Sequence, residues 1–173
     1  MNPPLGFEIH PLSSQWETEA FDCGVPALND YLKKFARQNH DRNIGKTFVA
    51  LEKGRDRNIL GFYTAVASEI DAWEVPRPHS KHLPRYPLPA VRIGRLAVDK
   101  RHQGRRIGEG LLMDALKRAE RLSLDVGVYA VVVDAKDVKT AAFYSKYGFI
   151  PLTQKPLSLF LPIKTIKALF TNK

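Results

Sequence analysis

The residues of this chain best suited to chemistry stand in Leu96–Leu112, LAVDKRHQGRRIGEGLL. An apolar run leads into a short turn holding Gly104, and a helical pattern opens near Gly108. The first N–H groups of a helix have no partner inside it, and the helix dipole gives that end a partial positive charge. Gly104 lets the backbone approach a ligand closely. Arg101, Arg105 and Arg106 add full charges. Together these features describe a cradle for a pyrophosphate. No Gly-Lys-Ser/Thr follows, so the stretch is not a Walker loop, and the GxGxxG of a dinucleotide fold is absent. A basic helix start behind a tight-turn glycine is the plainer reading. On this stretch alone both stay open.

Elements on either side must hold the turn. Ala90–Val98 reads as a strand entering it, and Arg106–Leu122 as the helix leaving it. Ile107, Leu111, Leu112, Ala115 and Ala119 form one stripe of that helix. Upstream, Phe7–Leu12 reads as a short strand. Val25–Asn39 reads as a helix, with Pro26 near its start and Leu28, Leu32, Phe35 and Ala36 at helical spacing. Lys46–Glu52 and Ile59–Ile70 read as a hairpin joined by the polar turn Lys53–Asn58. Downstream, Gly127–Val133 reads as a buried strand and Thr140–Tyr147 as a helix ending at Gly148. Phe149–Leu152 and Leu157–Leu161 read as strands, and Ile163–Phe170 as a short amphipathic helix. This alternation predicts an α/β fold around a central mixed sheet. Between the halves, Pro76, Pro78, Pro84, Pro87 and Pro89 fall within fourteen residues. Proline removes backbone donors and breaks helices, so this segment is a loop or a broken short helix. Long loops in compact domains are often functional.

The length of 173 residues suits a single domain over residues 1–173. Lys and Arg number 27 against 18 Asp and Glu, a net +9. Between Arg77 and Arg106 stand Arg77, Lys81, Arg85, Arg92, Arg95, Lys100, Arg101, Arg105 and Arg106 against one acid, Asp99. Nine minus one leaves that stretch +8 of the +9. A solvated basic face is one reading. A single cluster holding nearly all the excess favours a polyanion partner: phosphates, nucleic acid or an acidic protein. Cys23 stands alone, which suits a reducing compartment and a structural thiol. The N-terminus MNPPLGFEIH lacks a leader pattern, and no apolar run nears the ~20 residues of a membrane span. A cytoplasmic protein without a membrane or metal partner is expected.

Beyond the next strand stands Asp134–Phe149, DAKDVKTAAFYSKYGF. Arg95-Leu-Ala-Val98, then Arg101-x-x-Gly104, then a helix, then Ala142-Phe143-Tyr144-Ser-Lys-Tyr147-Gly148-Phe149 resembles the GNAT superfamily of N-acetyltransferases, over roughly Phe48 to Leu161. The resemblance implies the GNAT fold: α/β, with a central mixed, mostly antiparallel sheet splayed at an acetyl-CoA slot and flanked by helices. It implies acetyl-CoA as co-substrate. Its pyrophosphate would meet the turn formed by Gln103, Gly104, Arg105, Arg106, Ile107 and Gly108, with Arg101 close by. Its pantetheine arm would run along Leu96, Ala97 and Val98 like an added strand. Asp134 would join the cofactor-binding residues. A tyrosine matching Tyr144 would protonate the leaving thiolate. In such a reaction an amine attacks the thioester carbonyl, strand N–H groups stabilise the oxyanion, and a phenol returns a proton to sulfur. Tyr147, which ends a helix and starts a strand, reads as core. One departure stands out. The family pattern Arg/Gln-x-x-Gly-x-Gly/Ala closes on a small residue where this chain has Arg106. A side chain there either crowds the pyrophosphate or turns outward and pairs with it.

Phe21-Asp-Cys-Gly24, Leu28-Asn29-Asp-Tyr31-Leu32, Gly61-Phe62-Tyr63-Thr64, Leu88–Val98 and Phe160-Leu161-Pro162 are similar to the acetyltransferase toxins of bacterial toxin–antitoxin pairs, the TacT and AtaT type. That resemblance implies acetylation of the α-amino group of aminoacyl-tRNA, a stop to translation, a homodimer, and a ribbon-helix-helix antitoxin as partner. The basic segment fits a tRNA surface independently, through Arg77, Lys81, Arg85, Arg92 and Arg95. No general base is assigned. Glu69 reads as structural or solvated, and the amine of an aminoacyl ester is already less basic than lysine. Two alternatives stand beside this reading: a GNAT enzyme acting on a protein or small-molecule amine, and a non-catalytic GNAT-like regulator that binds CoA or RNA.

Overall fold

The computed structural model describes residues 6–54 and 57–171. Residues 1–5, which open the N-terminus read above for a leader, and Arg55 and Asp56 of the expected polar turn lie outside them. Seven strands order as β1-β2-β3-β4-β5-β7-β6 in a mixed, mostly antiparallel sheet. The chain divides into two compact units, Met1–Val66 with Arg95–Ala115 and Ala67–Gly94 with Leu116–Lys173, and strands β3 and β4 run through both.

In the first unit β1 (Phe7–Pro11) pairs antiparallel with β2 (Lys46–Glu52), and β2 with β3 (Ile59–Ile70). The hairpin has the expected bounds. Val49 and Phe62 face each other in the register and both are fully buried. Thr47 and Thr64 also pair, and their buried hydroxyls lie 2.7 Å apart, so each satisfies the other. The expected helix Val25–Asn39 is three pieces: α1 (Pro26–Asp30), a π turn at Tyr31–Phe35, and α2 (Ala36–Asp41). The wider π turn shifts the helical phase. Tyr31, Leu32 and Ala36 are therefore buried, whereas Phe35, placed on the apolar stripe by a uniform period, is 52% exposed.

In the second unit β4 (Leu88–Val98) pairs parallel with β5 (Ala130–Asp134), β5 antiparallel with β7 (Lys155–Pro162), and β7 antiparallel with β6 (Ile150–Leu152). Ala130, Val131, Val132 and Val133 are all fully buried, as a strand covered on both faces requires. The strand expected from Gly127 starts only at Ala130. Opposite it Pro89 accepts a hydrogen bond from Tyr129 N–H but has no N–H to return, so the ladder begins at Ala90↔Ala130. It ends at Ile93↔Val133, in the region where the resemblance expects the sheet to open.

Helix α3 covers Ile107–Leu122 and α4 Val138–Ser145, two residues earlier than expected. Asp137 sets that start, its carboxylate accepting the Thr140 N–H at 2.7 Å. After Ser145 the chain tightens, with Tyr147 N–H on the Tyr144 carbonyl, and turns at Gly148 (φ +93°). Helix α5 (Ile163–Thr171) closes the chain. The proline-rich segment follows the 3₁₀ turn Ala72–Glu74 and buried Val75, continues in further turns, and is anchored near its end by buried Leu88.

Gly61 is a packing requirement. A Cβ there would stand 2.8 Å from the Ala97 carbonyl oxygen, 3.0 Å from Leu111 Cδ1 and 3.2 Å from Ile107 Cγ2. Gly61→Ala is expected to cost about 1–3 kcal/mol, since backbone cannot move aside as a side chain does. Urea unfolding would read this as a lower midpoint at unchanged slope.

Candidate active site

The turn after β4 is built from its carboxylate outward. Asp99 is fully buried and accepts four bonds: Asp22 N–H (3.1 Å), Arg101 N–H (2.9 Å), Arg101 Nε (3.0 Å) and Arg101 Nη2 (2.9 Å). Burial alone would raise its pKa, but the Arg101 bonds outweigh burial and hold it at about 2. Asp99 therefore stays ionised and pins the 3₁₀ turn Lys100–His102. The motif Phe21–Gly24 braces the same turn. The Asp22 carbonyl accepts Lys100 N–H at 2.9 Å. The Asp22 carboxylate takes Gly24 N–H (2.9 Å), Asn29 Nδ2 (3.0 Å) and Lys100 Nζ (3.0 Å), which hold its pKa well below the usual carboxylate range.

Beyond Lys100–His102 lies the exposed Gln103–Arg106 stretch. Gly104 sits at φ +86° with no heavy atom within 4 Å of where a Cβ would be, and Arg106 keeps φ +63°. A left-handed residue just before the helix explains why the family favours glycine there; an L-residue in that region costs about 1–2 kcal/mol. Ile107, 1% exposed, anchors the first turn of α3, whose leading N–H groups have no partner within the helix. Ala97 is buried, with Leu96 and Val98 half-buried on either side of it.

The arginines of this turn are engaged within the chain. Arg101 lies on Asp99 and the Ala20 carbonyl, Arg105 on Glu52 (2.6 and 3.2 Å), and Arg106 on Glu109 at 2.7 Å. Each of the three therefore has a partner within the chain. Of the two postures open to Arg106, the structure shows it directed along the first turn of α3.

In the second unit α4 presents Tyr144, 2% exposed, its ring 5.2 Å from Phe143 and 5.6 Å from Phe149. Its ring is buried, and its hydroxyl is not among the buried polar atoms left without a partner among the described residues. Burial pushes its phenol well above the ordinary tyrosine value, and the charge of Asp134 pushes it further. Tyr147 is half-buried against Phe143 at 5.3 Å and is not among the buried core residues where the sequence reading placed it. Asp134 accepts Arg92 Nη1 at 2.6 Å and Ser158 Oγ at 3.0 Å, and Arg92 Nε donates to Ser68 Oγ.

Of the five residues expected on a nucleic-acid surface, Arg77, Lys81 and Arg85 are exposed. Arg92 and Arg95 are not free surface charges. Arg92 is tied to Asp134, and the Arg95 guanidinium lies 3.7 Å over the Tyr31 ring. Sequence reasoning missed Asp99 as the keystone of the turn. Its only signal was an acid alone in a run of bases.

Residues 43–151 match the family described as the acetyltransferase (GNAT) domain. This chain belongs to the GNAT acetyltransferases. As a GNAT protein it is similar, at 33% identity over 158 residues, to a tRNA-acetylating toxin of Mycobacterium tuberculosis, covering 91% of this chain and 93% of that one. Its fold superposes on a mutant of KacT (TM-score 0.90, 32% identity) and on AtaT complexed with acetyl-methionyl-tRNAfMet (0.89, 32%), each covering 95% of this chain and 99% of the other. It is also similar to an AtaT mutant toxin bound to the C-terminus of the antitoxin AtaR and acetyl-CoA (0.83, 30%), covering 96% and 99%. Among the described residues no helix is long and apolar enough to cross a membrane.

Proposed function

We propose that this GNAT enzyme transfers acetyl from acetyl-CoA to the α-amino group of aminoacyl-tRNA, and that it acts as a translation-blocking toxin restrained by an antitoxin. The observation that carries the reading is the nearly full-length likeness to a tRNA-acetylating toxin. The exposed bases Arg77, Lys81 and Arg85 support it, since a phosphate-rich acceptor needs such a face. A homodimer, a ribbon-helix-helix antitoxin and a cytoplasmic setting belong to the same proposal.

Acetyl-CoA supplies an electrophilic thioester carbonyl. The N–H groups from Gln103 to Gly108 bind its pyrophosphate, and the backbone of Leu96–Val98 lines the pantetheine arm. The uncharged amine attacks the carbonyl carbon. As the C–S bond breaks, Tyr144 gives its hydroxyl proton to the departing sulfur, and the proton shed by the attacking nitrogen passes to solvent, from which the phenol is restored. The phenol's raised pKa keeps that proton in place until it is needed.

Cell-free translation tests the reading: synthesis should stop when the protein and acetyl-CoA are both added and continue when either is withheld. Arrest without acetyl-CoA would contradict it. Charge reversal at Arg77 or Arg85 should weaken tRNA binding without altering acetyl-CoA affinity, and tRNA binding should fall steeply with salt. Arg92 is unsuited to that test, because reversal would set it against Asp134. A flat salt response would favour a small-amine acceptor.

A further inference from the structure

The segment between β3 and β4 leaves two large aromatic rings in water. Trp73 is 59% exposed and Tyr86 68%. Trp73 does not stand on a loose tip. Trp73 is the middle residue of the 3₁₀ turn Ala72–Glu74, and the turn is fastened around it. Asp71 N–H donates to the Glu74 carboxylate at 2.8 Å, and Glu74 N–H donates to the Asp71 carbonyl at 2.9 Å. The Glu74 carbonyl accepts Thr153 N–H at 2.7 Å, and its buried carboxylate is ion-paired with Lys155. Val75 follows, buried, and Tyr86 lies two residues before buried Leu88. Between them the His79 ring meets Phe160 edge-on at 6.1 Å. The turn that carries Trp73 is thus held, and both rings face solvent.

The surroundings say what such rings would meet. Pro76–Leu88 carries exposed Arg77, Lys81 and Arg85 and no carboxylate. Exposed aromatic faces on either side of a run of bases suit single-stranded nucleic acid: charge draws the phosphates, and any base has a face to stack. We infer that Trp73 and Tyr86 are stacking platforms for unpaired bases of the RNA acceptor, with Arg77, Lys81 and Arg85 neutralising its phosphates. The inference deepens the proposed function and rests on it, since the amino acid of a charged tRNA hangs on an unpaired 3′ end.

Fluorescence anisotropy of the full-length protein tests it, with two uncharged RNA probes: a duplex with a single-stranded 3′ overhang and the same duplex blunt. The wild type should prefer the overhang. Trp73→Ala should weaken overhang binding by roughly tenfold, the scale of one lost stacked base, and Tyr86→Ala by a similar or smaller factor. Blunt-duplex and acetyl-CoA affinities should hold, Trp73→Phe should keep most of the preference, and the salt slope should not change because no charge is lost. Equal wild-type affinity for the two probes would overturn the inference. So would equal weakening on both, or a Trp73→Ala change in sedimentation showing that the ring packs on a second copy. The probes carry no amino acid, so the outcomes separate. Trp73-dependent overhang binding without acetylation of charged tRNA would keep the surface and lose the proposed function. Acetylation with an unaffected Trp73→Ala would lose the surface alone.

Discussion

Tyr144→Phe is expected to slow acetyl transfer by about 10²–10⁴-fold, the usual worth of a positioned general acid. The change removes one oxygen. The ring's packing on Phe143 and Phe149 is apolar and survives, and among the described residues no hydrogen bond to that oxygen is lost. Folding and acetyl-CoA affinity should therefore stand, and the whole loss should fall on kcat. Because burial raises the phenol above its ordinary value, it stays protonated through neutral and mildly alkaline pH. The wild-type rate should show no alkaline fall due to Tyr144 until pH exceeds the ordinary tyrosine value of ~10. In a host cell the Phe variant should be tolerated where the wild type arrests growth. Full activity in the variant would end this role, and water or Tyr147 would become the candidate donor.

Gly104→Glu is expected to remove acetyl-CoA binding beyond calorimetric detection. Two effects add. The residue holds φ +86°, a region an L-residue enters at a cost of about 1–2 kcal/mol. A carboxylate would also stand where N–H groups and the start of α3 favour an anion, so it would compete with the pyrophosphate and repel it. Space is not the issue, since nothing lies within 4 Å of a Cβ there. Gly104→Asn separates the effects, because asparagine tolerates the left-handed region and adds no charge. It should retain much of the affinity. Unchanged affinity in the Glu variant would remove the pyrophosphate assignment.

The sequence made the repeating features legible. The apolar runs Lys46–Glu52 and Ile59–Ile70, bounded by the polar turn between them, gave both strands to the residue. Gly104 was readable as a turn residue because its left-handed backbone leaves few substitutes. What stayed hidden depended on partners distant in the chain. Arg105 pairs with Glu52, 53 positions away, and Asp99 meets Asp22 across 77. No local spacing encodes such pairs, so Arg92, Arg95 and Arg105 looked like free charges. The π turn at Tyr31–Phe35 was hidden for a different reason: a uniform period assigns every apolar residue to one face. Trp73 could be seen in the sequence, but its exposure on a fastened turn could not.

The most direct measurement of the central claim follows the label from acetyl-CoA carrying a labelled acetyl group, incubated with total charged tRNA and, in parallel, with the same tRNA stripped of its amino acids. The account predicts label on charged tRNA only, released by mild alkali as N-acetylated amino acids, and strongly reduced with Tyr144→Phe. Label on stripped tRNA, on protein or on free amines, with none on the esterified amino acids, would contradict it.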